Sequence, residues 1–90
     1  MSSFMGGSAY AMANQIGEGY ILMSAATLKR LQVPEVKQLE FEIDKLQREV
    51  RAETVATEDQ AAVQKRNRKL GRLNQAMLII RGYYEQKLKH

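Results

Sequence analysis

The ninety-residue sequence predicts an all-α fold: an antiparallel helical hairpin, coiled-coil-like, with a short preceding helix and an irregular N-terminal arm. Three observations predict it. Apolar residues recur three and four apart over two long stretches, the spacing of one face of a helix. Between these stretches lies "TVATEDQ", whose residue types break one helix and start another. The two sides of that break also carry opposite charge. Residues 1–60 hold six Lys/Arg against nine Asp/Glu, a net −3, whereas residues 61–90 hold eight against Glu85 alone, a net +7.

Residues 1–18, "MSSFMGGSAYAMANQIGE", are rich in Gly, Ala, Ser and Met and carry no charge before Glu18. They are expected to form an adaptable arm whose apolar members, Phe4, Met5, Tyr10 and Met12, become ordered against a partner. "GEGY" at 17–20 lacks the third glycine and the preceding strand of a phosphate-binding loop, so a flexible joint is expected there. The helical domain then occupies residues 19–90. A short helix over 19–32 places Ile21, Ala25, Leu28 and Leu31 or Gln32 on one face. Pro34 ends it by steering Val33 away from helical backbone, and equally suits the first turn of a new helix, where a missing N–H costs nothing.

The first long helix is expected over 34–55, with Val36, Leu39, Ile43, Leu46 and Val50 as an unbroken a/d stripe and Glu35, Glu42 and Glu49 as an acidic edge. Thr57 with Gln60 reads as a capping box, with Glu58 and Asp59 in the first turn, so the second long helix is expected over 58–88. Its stripe is Val63, Arg66, Leu70, Leu73, Met77, Ile80 and Tyr84. Folding the two back on each other gives one favoured register, Val36 with Ile80, Leu39 with Met77, Ile43 with Leu73, Leu46 with Leu70 and Val50 with Arg66, with a shift of one heptad as the alternative. That register sets Glu42 and Glu49 beside Lys69. Each such exposed pair adds under about 1 kcal/mol, so the apolar layers hold the hairpin and charge selects its orientation.

Composition bounds the function. A chain this short buries a small core, which favours an assembly subunit. With no cysteine, neither disulfides nor thiolate metal sites are available, and an intracellular address, cytoplasmic or nuclear, is expected. No apolar run approaches the roughly 20 residues of a membrane span. No basic residue precedes Lys29, so neither a secretory signal nor a mitochondrial presequence is expected at the N-terminus. His90 is the sole histidine, and the acids are spaced as helix-surface charges, so neither catalysis, a metal, a cofactor nor a small-molecule substrate is expected.

What the hairpin seam leaves uncovered points to a partner. Phe41, Leu78, Ile79, Tyr83 and Leu88 fall outside the a/d stripes, and burying such a side chain is worth roughly 1.5–3 kcal/mol. They are the candidate partner-binding residues, for another protein, a second copy of the chain, or both. The 19–32 helix is expected to cover part of this face, beside Ile80, Tyr83 and Tyr84. Gly71 and Gly82 would admit close approach of another helix, and Asn67 and Asn74, one heptad apart, flank the seam. The basic run is a second candidate surface: Lys65, Arg68, Lys69 and Arg72 would meet phosphates if the outer face of the second helix bound nucleic acid. It has no interleaved aromatic for base stacking, so a solvated charged face is the favoured explanation. Finally, a short helix followed by a long antiparallel pair, with "EVKQLEFEIDKLQREV" as its first arm, resembles hairpin effector domains that bind small GTPases. That resemblance in layout implies a nucleotide-loaded GTPase as the partner.

Overall fold

A computed structural model of the chain describes residues 4, 7–53, 56 and 58–88, with side-chain surroundings through residue 86. Four helices follow one another: α1 (Ala9–Glu18), α2 (Ala25–Lys29), α3 (Val33–Ala52) and α4 (Gln60–Leu88). The all-α hairpin is present as α3 and α4, and α1 packs on both of its arms. The overall extents, 49 × 29 × 18 Å, follow from α4. Its 29 residues rise about 43 Å at 1.5 Å each.

The N-terminal arm, expected to be irregular, is helical over Ala9–Glu18. Ser8 is extended and its hydroxyl accepts from the Ala11 N–H at 3.1 Å, capping the first turn. Met12, Ala13, Ile16 and Gly17 form the buried face. At the other end the N–H of Gly19 donates to the Ile16 carbonyl at 3.1 Å and that of Tyr20 to the Gln15 carbonyl at 2.9 Å. This doubly bonded close needs left-handed backbone, and Gly19 has φ +86°. "GEGY" is therefore a helix terminus and not a flexible joint. Met12, expected to await a partner, is fully buried in the chain's own core, and Phe4 packs against that core. Met5 lies outside the described residues.

The short helix is also shorter than 19–32. The chain runs without helical backbone from Gly19 to Ser24, where the Ser24 hydroxyl accepts from the Thr27 N–H at 3.2 Å and starts α2. The sequence stripe nonetheless points inward, since Ile21, Leu28 and Leu31 are buried, although Ala25 is exposed. Met23 joins them, so residues 20–23 alternate exposed and buried as an extended segment does.

α3 begins at Val33, one residue earlier than expected. The Gln32 N–H donates to Glu35 Oε1 at 2.9 Å, and Pro34 occupies the first turn. The carboxylate bond and the following turn hold Val33 helical despite its proline neighbour. All five stripe residues, Val36, Leu39, Ile43, Leu46 and Val50, are buried. α4 starts at Gln60, with Asp59 Oδ1 accepting from the Ala62 N–H at 3.1 Å, so Asp59 supplies a cap. Thr57 lies outside the described residues. On α4, Leu73 and Ile80 are fully buried, Leu70, Met77 and Tyr84 partly so. Ala76 is buried too, although it lies off the predicted stripe, because α1 and the segment after it close over that side.

Candidate interaction surface

The basic run of α4 is used first inside the fold. A helix ends in carbonyls without partners and a partial negative charge, and cations are favourable there. Arg72 Nη1 donates to the Gly17 carbonyl in the last turn of α1, at 3.1 Å. Lys69 Nζ lies 3.2 Å from Glu18 Oε1, the final residue of that helix. The expected pairing of Lys69 with Glu42 and Glu49 is thereby overturned, because α1, absent from the sequence-level picture, supplies a closer carboxylate. Glu42 and Glu49 instead border a cleft with Tyr10 and Asn14 of α1. Arg66 Nη1 makes a long bond, 3.5 Å, to the Glu53 carbonyl at the end of α3, where the predicted register puts it. Its Nε is buried and has no hydrogen-bond partner among the described residues.

These contacts bring the four predicted cations to one place. Lys65, Arg68, Lys69 and Arg72 surround a depression with Gly17 and Glu18. Lys69 and Arg72 are engaged by α1, and Lys65, Arg68 and the rest of Arg72 are exposed. The crossing above it is tight. A β-carbon on Gly17 would stand 3.3 Å from Lys69 Cε and 3.6 Å from Leu73 Cδ2, so the absence of a side chain lets α1 approach α4.

Arg72 also lines the neighbouring cleft, about 110 Å³, between residues 19–23 and α4. Ile16, Ile21, Met23, Ala76 and Ile79 make its walls aliphatic, and Leu22 and Gln75 stand at its border. Leu22 is 84% exposed and its neighbour Tyr20 82%, two residues that helical periodicity could not single out because the segment is extended.

The other candidate partner residues divide. Phe41, 65% exposed, and Leu78, 56% exposed, lie outside the core as expected. Ile79 and Tyr83 are half-buried against it, because the 19–31 region covers part of the surplus face. The rings of Tyr83 and Tyr84 meet in a tilted pair, centres 5.9 Å apart and planes inclined at 57°. Leu88's side chain lies outside the described residues. Phe41 shares a groove with Tyr10, Lys37 and Gln38 where α1 begins. Gly71 and Gly82 face open space and Asn67 and Asn74 are exposed, so internal packing requires none of them.

One hydroxyl is anomalous. Burial pushes the Tyr84 phenol above its usual range, with the charges of Glu40 and Tyr83 adding to the effect. Its oxygen is buried and unpartnered among the described residues. Among those residues no group of three or more His, Cys, Asp or Glu is placed to hold a metal ion, and no helix is long and apolar enough to cross a membrane.

Compared with protein-family descriptions, curated proteins and solved structures, the chain matches none.

Proposed function

We propose that this chain is a non-catalytic protein–protein interaction module, a small subunit of a larger assembly that acts by helix packing. One observation carries the proposal: a core closed by four helices still leaves Phe41, Leu78, Leu22 and Tyr20 largely in water. A single exposed leucine is ordinary. These four, joined among the described residues by Tyr10 at 61% exposure, represent several kcal/mol of burial that the fold does not use. Their positions on α3, α4 and the 20–23 segment offer more than one contact face.

Photocrosslinking tests the proposal. A photoreactive phenylalanine analogue in place of Leu78 or Phe41 is expected to capture one defined species, either a second copy or another protein, while the same group at exposed Gln64 does not. Leu78→Asp and Phe41→Asp are expected to remove that species and leave helical circular dichroism unchanged. A chain that sediments as a monomer and crosslinks no better at 41 or 78 than at 64 has no use for these side chains as contacts. The proposal then fails.

A further inference from the structure

The side of α4 that faces α1 combines two recognition chemistries in one continuous track. We infer that this track docks an acidic segment of a protein partner, with an apolar side chain entering the cleft between residues 19–23 and α4 and carboxylates meeting Lys65 and Arg68. The inference rests on the interaction-module reading and names the partner's chemistry.

The apolar half is the cleft of about 110 Å³. An engineered cavity of roughly 150 Å³ holds benzene, so this volume has room for about one aliphatic side chain. Exposed Leu22 adds apolar area at its border. Arg72 belongs to the walls of both the cleft and the cationic depression, which makes the two continuous.

The charged half carries Lys65, Arg68, Lys69 and Arg72 against the single carboxylate of Glu18, an excess of three positive charges. α1 already occupies Lys69 and Arg72. Lys65 and Arg68 are exposed beside them, in the last third of the chain, residues 61–90, whose net charge is +7. The field of the whole cluster therefore acts on whatever these two meet, and it favours carboxylates. Nucleic acid fits less well. Two uncommitted cations neutralise few phosphates, and aliphatic walls give a base no aromatic face to stack on.

The spacing sets the ligand. From Ile79 back to Arg68 is eleven positions of α4, about 16 Å. An extended segment covers that distance in about five residues. The fitting sequence has one aliphatic anchor and at least two acidic residues starting about four positions away.

Selection from displayed random heptapeptides against the full chain tests the inference. Enriched peptides are expected to share an aliphatic anchor and a separated acidic pair. Fluorescein-labelled copies should bind more weakly by about tenfold to the Lys65→Glu/Arg68→Glu double variant. Leu22→Asp should weaken them comparably, and affinity should fall with added salt. All three substituted side chains are exposed, so circular dichroism is expected to remain that of the parent chain. If the enriched peptides lack acidic residues, or bind these variants as they bind the parent, the track is not an acidic-segment site. Peptides displaced by Phe41→Asp would overturn the inference yet leave the interaction module standing. If single-stranded oligonucleotides bind in a Lys65- and Arg68-dependent way and compete with every peptide, the partner is nucleic acid. If neither peptides nor oligonucleotides bind, this inference is overturned, and the crosslinking result alone decides the module proposal.

Discussion

The two halves of α4 are held by different physics. From Leu73 onward it buries Leu73, Ala76 and Ile80 and half-buries Met77, Ile79, Tyr83 and Tyr84, so exclusion of water fixes this part. Before Leu73 it presents cations to the C-terminal ends of two other helices: Arg66 to a carbonyl closing α3, Arg72 to a carbonyl in the last turn of α1 and Lys69 to the Glu18 carboxylate there. Apolar contact is indifferent to salt and unforgiving of lost volume. Capping by cations is weaker and screened. A run of basic residues in a small helical protein can thus be structural before it is anything else.

The largest expected effect attacks the apolar half. Leu73→Ala should cost about 2–5 kcal/mol, measured from urea unfolding, because Leu73 is fully buried in the core where α1 crosses α4. That loss should be the same at low and high salt. A change below about 1 kcal/mol would mean that the seam is not the core.

Next comes the crossing of α1. Gly17→Val should cost about 1–3 kcal/mol by overpacking against Leu73 and the stem of Lys69, and should speed proteolysis between residues 8 and 31. Unaltered stability and protease resistance would show that α1 does not sit in this crossing in solution.

Arg72→Gln should cost less, about 1 kcal/mol at low ionic strength, with the difference shrinking as salt is added. A loss that ignores salt would locate the contribution of Arg72 in its aliphatic stem and erase the contrast between the halves.

The smallest effect tests the apolar half by pH. Burial and the nearby Glu40 hold the Tyr84 phenol above its ordinary value of 10.0 in the folded chain. In the unfolded chain the phenol ionises first as pH rises through that value, so folding stability is intact below it and declines above it. Tyr84→Phe should be nearly neutral at neutral pH, since the lost hydroxyl has no partner among the described residues. It should also flatten the alkaline decline. Identical alkaline curves for the two chains would mean that the phenol is open to water.

Period and cap chemistry made the hairpin legible. Val36 through Val50 share one helical face, and burying that face is the only way the sequence can keep it dry. α1 carried quieter signals that were there to be read: Ala9, Met12, Ala13 and Ile16 at helical spacing, Ser8 before them and Gly19 after them. Small uncharged residues gave the appearance of an unstructured arm. Tyr20 and Leu22 gave no signal at all, because their exposure depends on an extended segment whose direction Gly19 and Ser24 set.

Local rules acting along the chain determined the fold class, the turn before α4 and which faces are apolar, because hydrogen bonding within a helix and the period of its side chains are short-range properties. Only the tertiary structure decided that Lys69 answers Glu18 and that Lys65 and Arg68 stand beside an aliphatic cleft. Those neighbours lie some fifty positions apart in sequence, and no local pattern says which of several compatible carbonyl ends a cation will meet.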